Sequence, residues 1–124
     1  MAGHGTFHWN ELMTRDPKRA REFYGTTLGW TFDTMPMPGG QTYYVAKQGD
    51  KPVGGLFEMI GADFANVPTH WFAYIEVDDV DRRVAAATKA GAKLQRPIFD
   101  VPGVGRIAII QDPTGAHVGW MTPA

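Results

Sequence analysis

The chain of 124 residues contains no cysteine. Disulfide bonds, thiolate metal sites and cysteine nucleophiles are therefore excluded. Basic residues are not in excess either, since 12 Lys and Arg stand against 13 Asp and Glu. This balance argues against nucleic acid and against an anionic membrane surface as partners. The sequence shows no signal peptide and no long apolar run, so we expect a cytoplasmic protein.

The composition that remains is that of a single folded domain. Hydrophobic residues make up 44% of the chain and charged residues 20%, which is ordinary for a globular protein. A chain of this length can bury a core of its own, and we treat residues 1–124 as one domain. The 15 glycines and 9 prolines predict many turns between short strands.

Residues 9–30 predict a strand followed by a helix. Polar and apolar residues alternate up to Thr14, as in a half-buried strand. Asp16 is suited to cap a helix, and Pro17 suits its first position, where no amide donor is needed. Gly29 can adopt the left-handed conformation that ends a helix. We therefore expect a strand over residues 7–13 and an amphipathic helix over residues 17–28.

The same order of residues returns in the second half of the chain. Superposing Asp16 on Asp79 gives an offset of 63 residues, which places Trp9 on Phe72 and Glu11 on Tyr74. A second helix is then expected from Val80 to Gly91. A repeat of this length is one supersecondary unit used twice.

Apolar alternation and turn residues predict the other strands. They are expected at residues 30–34, 41–47, 53–59, 70–77, 93–97, 106–111 and 117–121. Each half then reads strand–helix–strand–strand–strand, an α+β fold of two βαβββ modules. Module 1 covers about 7–60, a connector 61–68 and module 2 about 69–123. We expect residues 1–6 to be a loose arm and 102–106 a mobile hairpin.

Strand alternation separates two faces in each module. One face of the second module combines aromatic and polar side chains, namely His70, Phe72, Tyr74 and Glu76. The matching face of the first module carries Phe7, Trp9, Glu11 and Met13. A ligand surface needs apolar walls with a few polar groups, and these faces supply them. The alternative is a solvated sheet face, which antiparallel sheets commonly have.

Several other polar residues allow two interpretations. His117 shares a face with Gly119 and would reach a ligand, or it is a surface histidine beside a turn. Gln111 would line the same pocket or cap the hairpin at residues 112–115, which has the residues of a type I turn. Asp78 and Asp79 resemble a carboxylate pair, but Asp79 matches the capping Asp16 and is expected to be structural.

Two blocks of the sequence resemble the vicinal oxygen chelate superfamily, which includes glyoxalase I, bleomycin-resistance proteins and extradiol dioxygenases. The blocks are Asp16…Phe23-Tyr24…Leu28-Gly29 and Asp112-Pro113-Thr114-Gly115. The resemblance covers nearly the whole chain. It implies two tandem βαβββ modules that form a curved mixed sheet around a cavity, and it makes a homodimer possible.

Metal-dependent members of that superfamily carry a ligand on the first and last strand of each module. By the resemblance, these positions fall on Trp9, Phe72, Gly119 and Gly54 or Gly55. None of these side chains can coordinate a divalent metal. The resemblance thus implies the fold and the cavity, whereas the residues predict no metal or other cofactor. A divalent metal held by displaced ligands is the alternative.

Two classes of function follow from these observations. The first is a protein that binds a small, partly apolar molecule in a metal-free pocket. The second is an enzyme, a lyase, isomerase or dioxygenase, that is metal-independent or has displaced metal ligands. The predicted ligand-binding residues are Trp9, Glu11, His70, Phe72, Tyr74, Glu76 and His117. Glu11 is the candidate catalytic base.

Overall fold

A computed structural model describes residues 3–124 of the chain. These residues form two compact units. The first unit is Trp9–Trp71, and the second unit combines the described residues up to His8 with Phe72–Ala124. The unit boundaries fall inside two strands, and each unit is described by itself.

The first unit contains one helix packed beside a mixed sheet. Its elements are β1 (Phe7–Thr14, whose first two residues belong to the second unit), α1 (Pro17–Leu28), β2 (Thr31–Pro36), β3 (Thr42–Gln48), β4 (Lys51–Glu58) and a 3₁₀ turn (Ala62–Phe64). The strand order is β2-β3-β4-β1, in which β4 and β1 are parallel and the other pairs are antiparallel. The parallel register places Glu11 opposite Gly55.

The second unit repeats this arrangement with one additional short strand. Its elements are β5 (His70–Glu76, whose first two residues belong to the first unit), α2 (Val80–Lys89), β6 (Lys93–Leu94), β7 (Phe99–Val101), β8 (Gly105–Gln111) and β9 (His117–Pro123). The order is β5-β9-β8-β6, and β7 also pairs with β8. Strands β5 and β9 are parallel and place Tyr74 opposite Gly119. Glu11–Gly55 and Tyr74–Gly119 are therefore equivalent pairs in the two repeats.

Both predicted helix caps are present. The Asp16 carboxylate accepts a hydrogen bond from Arg19 N at 3.0 Å, and the Asp79 carboxylate accepts one from Arg82 N at 3.1 Å. Gly29 ends α1 with a positive φ of 74°, as predicted. The structural assignment of Asp79 is thus confirmed, because its carboxylate satisfies an amide that the first helical turn leaves without a partner.

The two helices differ in how much of their apolar face they bury. In the second unit α2 packs Val80 and Val84 into a core cluster with Val77, Ala108 and Ile110. In α1 only Pro17 is buried, and Phe23 is 57% exposed. The predicted helix is therefore correct in its bounds, but most of its amphipathic stripe stays at the surface.

The aromatic residues beside α1 pack mainly on one another. Tyr24 stacks on Trp30 with ring centroids 5.2 Å apart, and Trp71 contacts both rings edge-on. The Trp71 indole also donates a hydrogen bond to the Tyr24 hydroxyl at 3.2 Å. Trp71 therefore faces the helix side of its strand, as the alternation predicts, although it is 42% exposed.

The N-terminal arm corrects one prediction. Residues 1 and 2 lie outside the described part of the chain, but Gly5 N donates to Glu76 O at 2.8 Å and Glu76 N donates to Thr6 O at 2.8 Å. His4 Nδ1 accepts a hydrogen bond from Asp78 N. The arm is therefore not loose from residue 4 onward, because it continues the backbone pairing of β5.

Residues 97–105 correct a second prediction. The strand expected at 93–97 ends at Leu94, and β7 forms at Phe99–Val101, where the sequence analysis placed none. The hairpin from β7 into β8 is closed by a hydrogen bond from Val104 N to Val101 O at 3.0 Å. β7 pairs only three residues, which is too short a run for alternation to reveal.

Candidate functional site

Three polar side chains of the first unit meet above a glycine. Trp9 and Glu11 lie on β1, Tyr43 lies on β3, and Gly55 lies on β4 between these strands. A Cβ atom on Gly55 would overlap the Tyr43 hydroxyl and ring, so the phenol occupies the space that a side chain at position 55 would fill. The Trp9 indole nitrogen donates a hydrogen bond to the Tyr43 hydroxyl at 2.9 Å. We call these three side chains the Trp9–Tyr43–Glu11 cluster.

The hydrogen bonds in this cluster have a fixed direction. Burial raises the pKa of Tyr43 well above its usual value, and the negative charge of Glu11 raises it further. The phenol therefore stays protonated, and its single O–H donates to the Glu11 carboxylate while its oxygen accepts from Trp9. Glu11 is only 8% exposed. The result is a buried carboxylate oriented by a chain of two donors.

The second unit has an aromatic pair at the equivalent place. Phe72 and Tyr74 contact each other edge-to-face with ring centroids 5.1 Å apart. A Cβ atom on Gly119 would overlap the Tyr74 ring and come within 3.0 Å of Phe72. Phe72 is 8% exposed. In each unit, then, a tyrosine ring covers a glycine of the last strand.

These residues do not fit the metal site that the fold family implies. Its four positions hold Trp9, Phe72, Gly55 and Gly119, and the register assigns the last-strand position of module 1 to Gly55 rather than Gly54. Tyr43 and Tyr74 fill the spaces that ligand side chains at the two glycines would need. Among residues 3–124, no group of three or more His, Asp and Glu side chains comes together in a way that could hold a metal ion.

The other three predicted ligand residues lie at strand ends. His70 begins β5, and its Nδ1 is 2.7 Å from Pro68 O. Glu76 ends β5, and one of its carboxylate oxygens is 3.4 Å from His8 Nδ1. His117 begins β9 and is exposed. The binding role of these three residues stays a prediction.

Gln111 acts as a hairpin cap rather than as a pocket residue. Its side-chain nitrogen donates to Gly115 O at 3.2 Å. Gly115 N donates to Asp112 O at 3.0 Å, which confirms the predicted turn. Of the two interpretations that the sequence allowed for Gln111, the structure supports the structural one.

Tyr43 is the cluster residue that the sequence analysis missed. It lies beside Tyr44 in a strand without clear alternation, so its face could not be assigned from the sequence. The available signal was Gly54-Gly55 inside a predicted strand, since a glycine there often marks a close approach of another group.

Two surface depressions lie away from this cluster. One, in the second unit, has a volume of about 430 Å³ and is lined by Asp78, Asp81, Asp100 and Arg106 among others. Arg106 pairs with Asp81 at 2.8 Å and with Asp100 at 3.0 Å, so these charges largely satisfy one another. The other depression, near Asp33 and Lys47, contains a similar pair at 3.3 Å.

The family is identified by its sequence model. Residues 6–119 match the model of the Glyoxalase/Bleomycin resistance protein/Dioxygenase superfamily, and the chain belongs to this superfamily. The predicted recognition and the predicted α+β fold class are thereby confirmed. The described residues include no helix that is long and apolar enough to cross a membrane.

Several curated proteins are similar to this chain in sequence, and their names differ. A Mycobacterium bovis protein named "Putative glyoxylase CFP32" is 42% identical over 97% of this chain and 45% of its own length. The Streptomyces peucetius anthracycline biosynthesis protein DnrV is 28% identical over 87% of this chain and 43% of its own length. A glyoxylase-like domain-containing protein of Didymella fabae is 33% identical over 75% of this chain and 73% of its own length. The chain thus spans less than half the length of the first two relatives.

Solved structures share the fold at low sequence identity. The hypothetical protein BH1468 from Bacillus halodurans has a TM-score of 0.73 at 14% identity, with 97% of this chain and 95% of that chain covered. Methylmalonyl-CoA epimerase from Mycobacterium tuberculosis has a TM-score of 0.72 at 14% identity, with 100% and 92% covered. At these identities the likeness establishes the fold alone.

Proposed function

We propose that the chain binds a small, partly apolar molecule, and that the Trp9–Tyr43–Glu11 cluster holds the polar part of this molecule without a metal ion. The observation that carries the proposal is the Glu11 carboxylate, which is 8% exposed and interacts with the Tyr43 hydroxyl. A buried carboxylate is costly to maintain, which favours a functional role for Glu11.

The relatives support a small molecule as ligand and do not identify it. Two are named for glyoxylase, and the Streptomyces relative is named for the biosynthesis of anthracyclines, which are planar aromatic compounds. A planar apolar ligand agrees with the aromatic rings of Trp9 and Tyr43 in the first unit. Ring–ring contacts contribute about 0.5–1.5 kcal/mol per pair beyond burial of area.

A fluorescence titration tests this proposal. The neutral probe 1-naphthalenemethanol should bind saturably to the purified protein and change its tryptophan emission. Trp9→Ala should weaken binding by about tenfold, the equivalent of roughly one aromatic contact at the upper end of its range. Phe72→Ala tests the aromatic surface of the second unit in the same way.

The matched control is Trp71→Ala. Trp71 is one of only four tryptophans and packs against Tyr24 on the helix side of its strand. Its loss should change the emission intensity but leave the dissociation constant within about twofold, a difference of under half a kcal/mol. If Trp9→Ala, shown to be folded by thermal melting, binds the probe as tightly as the parent, the proposed site is wrong.

The buried carboxylate also favours the enzymatic alternative. In that case Glu11 acts as a general base, which takes a proton from a substrate and returns it to another atom of the same molecule, as in an isomerase. Such a reaction consumes no further reactant. Glu11→Gln keeps the size of the side chain and removes the base, so it should abolish turnover in a screen of glyoxalase-like substrates.

A further inference from the structure

The chemistry of the cluster restricts which ligands it can accept. Tyr43 is a hydrogen-bond acceptor for Trp9 and a donor to Glu11, so its only O–H is directed at the carboxylate. Glu11 in its charged form has acceptors and no donor. A ligand that reaches this carboxylate must therefore bring a donor, and a negatively charged ligand is repelled at short range in a poorly solvated place.

The surroundings of the carboxylate favour a cationic donor over a neutral one. Glu11 is 8% exposed, so little water screens its charge. The cluster also contains the aromatic rings of Trp9 and Tyr43, and the π faces of such rings attract ammonium groups. Hydrogen bonds between charged partners are about twice as strong as those between neutral groups.

Resting on the function proposed above, we propose that the cluster selects arylalkylamines in their ammonium form, with Glu11 as the ligand-binding anion and Tyr43 as the residue that positions it. Tyr43 can hold this place only because position 55 is glycine, since a Cβ there would overlap the phenol. The proposed binding site therefore requires glycine at position 55, although Gly55 contributes no side chain to it. The ligand class is an apolar ring system that carries a primary or secondary amine through one or two methylene groups.

Three matched probes test the inference at pH 7. They share the naphthalene ring and differ in one group: 1-naphthylmethylamine is cationic, 1-naphthalenemethanol is neutral, and 1-naphthoate is anionic. The parent should bind the amine at least about tenfold more tightly than the alcohol, the equivalent of one charge-assisted hydrogen bond. It should bind 1-naphthoate more weakly than the alcohol.

Two variants then assign the selectivity to residues. Glu11→Gln should bring the three dissociation constants to within about threefold of one another, with the amine losing the most affinity. Tyr43→Phe keeps the ring over Gly55 and removes the hydroxyl, so it should reduce the preference for the amine several-fold. A merely structural role for Tyr43 would alter the melting temperature and leave this preference unchanged.

The outcomes distinguish this inference from the proposed function. If the parent binds the alcohol at the Trp9 site but binds 1-naphthoate as tightly as the amine, the proposed function stands and the ligand class is wrong. If amine preference persists in Glu11→Gln, another group provides it and the role of Glu11 is wrong. If no probe binds to the parent, the proposed function fails, and this inference fails with it.

Discussion

At the scale of single residues, the candidate site depends on two positions that carry no side chain. Gly55 and Gly119 stand where metal-dependent members of the superfamily are expected to carry a ligand, and each is covered by a tyrosine ring. The ring over Gly55 is also hydrogen-bonded to Trp9. A side chain at either glycine therefore competes with packing that is already complete.

The first residue-scale prediction is that Gly55→Ala destabilises the protein. The new methyl group would overlap the Tyr43 ring, and forcing extra volume into a packed site costs about 1–3 kcal/mol. Urea denaturation measures the loss. Gly3→Ala is the matched control, because nothing lies within 4 Å of a Cβ at that position.

A double variant shows whether the clash is the cause. Tyr43→Ala removes the ring, so adding Gly55→Ala to it should cost much less than Gly55→Ala costs in the parent. If Gly55→Ala alone is as stable as the parent, the Tyr43 ring does not lie fixed over the glycine, and its positioning role is lost as well.

At the scale of elements, the turn between β8 and β9 is organised by one carboxylate. Asp112 accepts hydrogen bonds from the Thr114 backbone at 2.8 Å and hydroxyl at 2.7 Å, and from Ala116 N at 3.1 Å. These hydrogen bonds, and above all the one from the Thr114 side chain, lower the pKa of Asp112 below its usual value of 3.8. The turn brings β8 and β9 into the antiparallel register that positions Gly119.

The pH dependence of this turn follows from the sign of the shift. Because the folded state lowers the pKa of Asp112, its charge stabilises the fold above pH 3.8, and this contribution is lost as the pH falls through the lower folded value. Asp112→Asn keeps an acceptor and removes the charge. The variant should have a lower melting temperature than the parent at pH 7. This difference in melting temperature should become smaller when it is measured below pH 3.8.

The control for the Asp112 variant is Asp50→Asn, in the exposed turn between β3 and β4. The melting temperature of Asp50→Asn should differ little from that of the parent, and this difference should not vary in the same way with pH. If the melting temperatures of the parent and Asp112→Asn differ as much in acid as at pH 7, the electrostatic explanation of the turn is contradicted.

The two helices show what packing adds to a repeated sequence pattern. Both begin at a capping aspartate, yet α2 buries Val84 in a core while α1 leaves Phe23 largely exposed. Local signals determine where a helix begins and ends. How much of its face is covered depends on the neighbouring strands, and beside α1 the large rings of Trp30 and Trp71 stack against Tyr24.

At the scale of the whole molecule, we predict that the purified chain binds no divalent metal in stoichiometric amount. Metal affinity requires deprotonated donors in the right number and geometry, and Trp9, Phe72, Gly55 and Gly119 provide none. Elemental analysis of protein prepared without chelators measures this directly. Stoichiometric zinc, nickel, iron or manganese that disappears in Glu11→Gln would show that displaced ligands bind a metal.

The sequence by itself determined the repeated elements of this protein. The caps at Asp16 and Asp79, the glycine that ends α1 and the turn at Asp112 each depend on interactions within a few residues, so their residue types predict them. The offset between the repeats also predicted that Glu11 and Tyr74 are equivalent, and both prove to lie opposite a glycine in a parallel strand pair.

Only the tertiary structure decided which side chains act together. Trp9 and Tyr43 are 34 residues apart, and their hydrogen bond exists because the strand order places β4 between β1 and β3, with glycine at position 55. The pairing of His8 with Glu76 likewise depends on the N-terminal arm joining the second unit. Alternation assigns a residue to a face, whereas contacts across a sheet depend on strand order and register, which no local pattern encodes.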